Sequence, residues 1–260
     1  MAARAMWKAD VCVGALRVPV KLYAAVQDRQ IHFRLLHAAD LAPVKQQMVD
    51  PETNRPVPRE EIRKGLEVEK QVYVLLTDEE LAALEPEPSR DIRIEQVVER
   101  GNVDERWFDR PYYLGPDGDA QGYFALAAAL ADGDRIAIAR WVMRKKRYAG
   151  ALLASDGHLV LETLRHAEEM VHIESVRPRP DRAPDKREIA LAEQLIGALE
   201  DRFDPTEYRD EHREQVMKLI EAKARGKPVR FPKERVAKRA GSLLAQLQAS
   251  LKSGGKAAHG

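Results

Sequence analysis

Cysteine is nearly absent. Cys12 is the only one in 260 residues, which excludes an intrachain disulfide and any zinc site built on several cysteines. A reducing cytoplasm is the expected setting. No apolar run approaches the roughly 18 residues that a membrane span requires. The opening Met1-Ala-Ala-Arg-Ala-Met-Trp7 lacks the apolar stretch of a secretory signal. The phosphate-cradling patterns Gly-x-x-x-x-Gly-Lys-Ser/Thr and Gly-x-Gly-x-x-Gly do not occur, nor does a Gly-x-Ser-x-Gly elbow. His166 and His172 flank Glu168 and Glu169, but six positions apart they miss the i, i+4 spacing of a helical zinc pair. On a strand they would lie about 20 Å apart. Cys12 lies in an apolar run, where a buried inert thiol is expected. These absences leave no catalytic constellation, no metal and no cofactor, so a non-enzymatic protein is expected.

What is present is enough apolar sequence for a core, 44% of residues, and an uneven charge distribution. Between Glu221 and Gly260 ten cations face only Glu221 and Glu234. That surplus of eight, against a total of +1, leaves the first 220 residues with a deficit of seven. An acidic body with a basic end suits a polyanion or an acidic partner. A solvated helix end followed by a flexible tail accounts for the same composition.

The first part reads as short strands: 9–23 (with Gly14 and Pro19 as bulge or edge positions), 31–37, 71–76, 92–98, 112–114 and 135–143. Residues 149–154 and 158–164 flank Ser155-Asp-Gly157 as a hairpin. Asp50 to Pro58 is a loop. Thr77 and Glu80 form a capping box for a helix over 78–84, and 122–130 is helical. This spacing predicts a β-barrel or sandwich with small inserted helices. Near residue 178 the style changes. Pro178, Pro180 and Pro184 mark a linker. Ile189, Ala192, Leu195, Ile196, Leu199 and Phe203 follow helical spacing. Asp204-Pro205 is expected to start a second helix that stops at Gly226. A last short helix, with Leu243, Leu244, Leu247 and Leu251 on one side, precedes a glycine-rich end.

The strongest local chemistry is basic. Residues 135–155 hold Arg135, Arg140, Arg144, Lys145, Lys146 and Arg147 and no acid, with Trp141 and Tyr148 interleaved. Such cations on adjoining strands can track a phosphate backbone. They can equally keep an exposed edge from pairing.

The order of motifs resembles the prokaryotic Ku family. The resemblance runs through Arg4-Ala-Met-Trp7-Lys8, Gly14-Ala-Leu-Arg-Val-Pro-Val-Lys-Leu-Tyr23, Ile31-His-Phe-Arg-Leu-Leu-His37, Val57 to Glu67 and Tyr73 to Leu81. It continues through Phe108-Asp-Arg-Pro-Tyr-Tyr-Leu114, Ile136 to Arg140, Asp156 to Leu164 and Phe203-Asp-Pro-Thr-Glu-Tyr208. It covers about residues 4–225 and implies a β-barrel core over 1–185 with an extended bridge. An α-helical arm over 186–226 and a basic tail over 227–260 follow. The implied function is sequence-independent binding of double-stranded DNA ends by a ring-forming homodimer. That dimer would recruit an ATP-dependent DNA ligase in non-homologous end joining, in the cytoplasm at the nucleoid. Phosphate-contacting candidates are Arg140, Arg144, Lys145, Lys146 and Arg147 in the barrel and Arg55, Arg59, Arg63 and Lys64 in the bridge. Arg230, Lys233, Arg235, Lys238 and Arg239 extend them into the tail. Leu243, Leu244, Leu247 and Leu251 are the candidate ligase contact. A metal-dependent nuclease and a protein-only assembly scaffold are the competing readings.

Overall fold

The computed structural model describes residues 4–173 and 183–226. The chain divides into two compact units after His172.

In the first unit, β1 (Trp7–Val13) and β2 (Leu16–Ala24) form a tight hairpin. The expected single strand over 9–23 is therefore two. Gly14 has φ +60 and Ala15 does not share a positive φ, the pattern of a type II′ turn, which needs glycine at its first central position. β5 (Asp91–Glu99), β6 (Phe108–Pro116), β7 (Arg135–Met143), β8 (Lys146–Ser155) and β9 (His158–Leu164) complete a closed barrel, joined in the order β1-β2-β6-β9-β8-β7-β5. A parallel pairing of β1 with β5 closes it. Closure removes every sheet edge. The excursion between β2 and β5 holds a separate two-stranded ribbon, β3 (Lys64–Glu69) with β4 (Val72–Leu76), and the helix α1 (Asp78–Ala83). The capping box at Thr77 and Glu80 forms as expected. Residues 31–37 do not form a strand. Only an isolated Leu36–Pro43 bridge is made there, because no neighbouring strand offers a ladder.

Alternate residues of the strands turn inward. Val11, Val18, Val20, Leu22, Ile92, Leu152, Leu159 and Leu161 are at most 1% exposed. α2 (Ala120–Ala131) buries Tyr123, Ala127 and Leu130, one stripe at helical spacing. It packs on β2, β7, β8 and β9, strands from different arcs of the barrel, and so lies across its opening. The Tyr123 hydroxyl donates to the Leu114 carbonyl at 2.6 Å and accepts from the Leu159 N–H at 2.9 Å. The β6–β9 ladder ends at Tyr113–Val160, so this hydroxyl joins the two strands where they part. Trp141 stacks on Tyr148 with ring centroids 5.5 Å apart. At Gly150 a Cβ would lie 2.5 Å from both the Trp141 ring and the Glu162 carbonyl, so only glycine lets the indole lie against β8. β6 starts earlier than expected because a bulge admits Pro111. Inside the bulge the buried Thr163 hydroxyl accepts from the Arg110 N–H at 3.0 Å.

In the second unit, α3 (Lys186–Ala198) begins at a capping box between Asp185 and Glu188 and ends before Phe203. The following helix does not start at Asp204-Pro205. Asp204 instead accepts from the Thr206 N–H in a local turn, and α4 (Glu211–Ala224) is capped by Asp210 and by Arg225, with Gly226 following at φ +68. Pro178, Pro180, Arg230, Lys233, Arg235, Lys238, Arg239, Leu243, Leu244, Leu247 and Leu251 lie outside the described residues.

Candidate nucleic-acid interface

β7 and β8 present the basic stretch. Their register pairs Arg140 with Ala149, Trp141 with Tyr148, Val142 with Arg147 and Met143 with Lys146. Trp141 and Met143 are buried, so Arg140, Val142 and Arg147 share the outer face. Across the next ladder Arg93 stands directly opposite Arg140. Beyond it Cys12 pairs with both Arg93 and Arg17. Arg17, Arg93 and Arg140 therefore form one row over four adjacent strands. Arg17 and Arg93 were not among the residues expected here. The alternation Ile92-Arg93-Ile94 was the signal for Arg93, but its neighbour across the ladder is more than 40 positions away.

Carboxylates temper this row. Arg17 donates to both oxygens of Asp91 at 2.9 and 3.5 Å and lies 3.6 Å from Asp10. Arg93 reaches Asp91 at 3.5 Å, and Arg140 reaches Glu95 at 3.3 Å. The hydrogen bond from Arg17 holds the Asp91 carboxyl below its ordinary range and raises Arg17 in turn. Cys12 is half-buried rather than fully buried as expected, and burial, reinforced by Asp91, pushes its thiol up, which disfavours the thiolate.

The hairpin tip carries less compensation. Arg144 and Lys145 have φ +50 and +65, the two positive angles of a type I′ turn. Lys145 lies 2.9 Å from Glu85 on the connector between α1 and β5. Arg144, Lys146 and Arg147 pair with no carboxylate among the described residues. The same holds of Arg55 and Arg59 on the excursion. Arg63 turns back to the Ile62 carbonyl at 3.1 Å. Lys64 bonds Asp78 at 2.8 Å and depresses its carboxyl. The structure thus gathers five expected residues, from Arg140 to Arg147, on one hairpin. Arg55, Arg59, Arg63 and Lys64 sit on the separate excursion.

His166 starts a single 3-10 turn and its N–H bonds the Glu169 carboxylate, so Glu169 serves as a capping group there. Among the described residues no three His, Cys, Asp or Glu side chains converge as metal ligands. No helix among them is long and apolar enough to cross a membrane.

Residues 13–191 match the family model of the Ku70/Ku80 beta-barrel domain. The chain is 38% identical over 254 residues to a Ku protein of Geotalea uraniireducens, named "Non-homologous end joining protein Ku 2", covering 97% of this chain and 99% of that one. It is 36% identical to the protein named "Non-homologous end joining protein Ku" of Coxiella burnetii, covering 91% of this chain and 89% of that one. With likeness of this extent along nearly its whole length, the chain belongs to the Ku family.

Proposed function

We propose that this protein binds double-stranded DNA ends without reading their sequence, as a ring-shaped homodimer, and acts by binding rather than by catalysis. Its place is the joining of broken ends, where it recruits an ATP-dependent DNA ligase. The observation that carries this reading is the basic hairpin of the Ku-type barrel, where Arg144, Lys146 and Arg147 have no carboxylate partners among the described residues. Phosphate contacts of this kind give affinity without base specificity, and each one lost reduces the salt slope by about 0.9. The bridge candidates Arg55 and Arg59 supply further positive charge.

The dimer is supported by apolar surface that a lone chain leaves in water. On the ribbon Leu66 and Leu75 are 64% and 65% exposed, and on the excursion Phe33 and Leu35 are 72% and 63% exposed. Exposed apolar surface of this kind marks a protein interface. Two-fold pairing is the economical way for one sequence to close a ring. Ligase recruitment is assigned to Leu243, Leu244, Leu247 and Leu251, and added phosphate contact to Arg230, Lys233, Arg235, Lys238 and Arg239.

The deciding measurement is a mobility shift on linear and covalently closed circular duplex. A ring enters at an end, so linear duplex binds and bulky groups on both ends block loading. Equal affinity for the closed circle refutes the ring. Arg144→Glu with Lys146→Glu weakens binding and flattens its salt dependence while light scattering still reports a dimer.

A further inference from the structure

A cavity of about 620 Å³ opens beside the basic hairpin. That volume suits a small-molecule fragment, roughly 300–1,000 Å³. Its walls come from three places. Trp7, half-buried at the start of β1, supplies an aromatic surface. The Met143 end of β7 and the Arg144-Lys145 turn supply an apolar floor and cations. The connector Glu85-Pro86-Glu87-Pro88 supplies the opposite wall.

The connector is stiff. Its two prolines fix their own φ and restrict the residues before them. It is also pinned at its end, where the Arg90 carbonyl accepts from the Asp10 N–H at 2.9 Å and the Ser89 hydroxyl accepts from the Asp91 N–H at 3.0 Å. The cavity therefore has its shape before a ligand arrives.

The charge at the rim is sorted. Lys145 neutralises Glu85 at 2.9 Å. Arg90 and Arg144 have no carboxylate partner among the described residues, and Glu87 is the one acid of the lining besides Glu85. An aromatic surface with a positive rim is the chemistry that takes a base on the ring and its phosphate on the cations.

We propose that this cavity holds one unpaired nucleotide of a DNA end, its base on Trp7 and its phosphate on Arg144 and Arg90. This rests on the end-binding reading and deepens it. A base within a duplex has both faces stacked and cannot enter, so the cavity distinguishes ends with a single-stranded overhang from blunt ends. Arg144 belongs both to the basic hairpin and to the rim, so a strand leaving the duplex on that face meets the cavity directly.

The test compares the full-length chain on blunt duplex and on duplex with a short overhang. One stacked base favours the overhang by about fivefold to a hundredfold. Trp7→Leu removes the stacking surface. Ala82→Phe fills the cavity from an exposed position of α1, and so keeps the test open if Trp7→Leu fails to fold. Both variants lose the overhang preference and keep blunt-end affinity. Equal affinity of the unaltered protein for both ends overturns the proposal, as does a preference that survives Ala82→Phe. A short 5′-phosphorylated oligothymidylate gives an independent arm. It quenches tryptophan fluorescence in the unaltered protein and not in Trp7→Leu. If no duplex binds at all, the end-binding reading has failed, and quenching by this oligonucleotide still decides the cavity: present, it stands; absent, it falls.

Discussion

Tyr123→Phe removes one oxygen atom from the barrel and tests how its open end is held. The hydroxyl bridges the Leu114 carbonyl and the Leu159 N–H at 2.6 and 2.9 Å, and all three residues are at most 2% exposed. Burial also raises the phenol's pKa, partly offset by the Leu159 N–H, so the hydroxyl stays a donor throughout the neutral range. Phenylalanine fills the same space, so no cavity opens. The loss is two hydrogen bonds at about 1 kcal/mol each, plus desolvation of an orphaned N–H at about 1–3 kcal/mol. A destabilisation of about 3–5 kcal/mol follows, and with roughly 2–4 °C per kcal/mol for a protein of this size the melting temperature falls by about 6–20 °C. Urea unfolding followed by circular dichroism reads the change as a lower midpoint at unchanged slope. Tyr113→Phe is the control, since Tyr113 is 55% exposed and its hydroxyl is solvated. A Tyr123→Phe midpoint equal to that of the control refutes the bridging role.

Gly150→Ala pushes a methyl into the Trp141 ring and the Glu162 carbonyl. It should cost about 1–3 kcal/mol, read as a lower urea midpoint and a changed near-ultraviolet tryptophan signal. Burial raises the Glu162 carboxyl, with Arg100 opposing. An acid whose folded pKa lies above its unfolded value stabilises at low pH and loses that contribution as pH rises through the folded value. Glu162→Gln should therefore raise the melting temperature at pH 7 and lose this gain on acidification below the ordinary glutamate range. At the hairpin tip, Arg144→Asn with Lys145→Gly should raise stability by about 1–2 kcal/mol and weaken binding to linear duplex. A variant that is stabilised and binds unchanged removes the tip from the interface.

Much of the barrel was legible because local chemistry and tertiary structure agree. Ser155-Asp-Gly157 between two apolar strands announces the β8–β9 hairpin, and Asp156 and Gly157 take positive φ there. The helix after Thr77 was marked by its cap. The misses have physical causes. The Gly14-Ala15 turn carries no polar residue to punctuate the run from Ala9 to Tyr23. β3 reads Lys-Gly-Leu-Glu-Val-Glu, with a glycine and acids where β-branched residues would signal a strand. Residues 31–37 alternate like a strand, but a strand exists only where another strand completes its ladder. The basic hairpin was legible as composition. The Arg17–Arg93–Arg140 row was not, because it depends on β5 lying between β1 and β7, a pairing that local patterns do not encode.

The three tight hairpin turns of the barrel show where residue choice departs from conformational preference. Gly14 supplies the positive φ of one turn, and Asp156 with Gly157 supplies both of another. Arg144 and Lys145 occupy the same left-handed region without a glycine. Each long side chain held there costs about 1–2 kcal/mol relative to glycine. The bond from Lys145 to Glu85 does not offset this, because its side chains are 73% and 36% exposed and such pairs contribute about 0–1 kcal/mol. Packing does not explain the choice either, since both residues are exposed. What the pair supplies is positive charge at the tip of a rigid hairpin, next to Lys146 and Arg147, which have no carboxylate partner among the described residues, and to the cavity beside Trp7. Strain retained where neither packing nor pairing rewards it points to the chemistry of the side chains. We propose that this chemistry is the holding of phosphate.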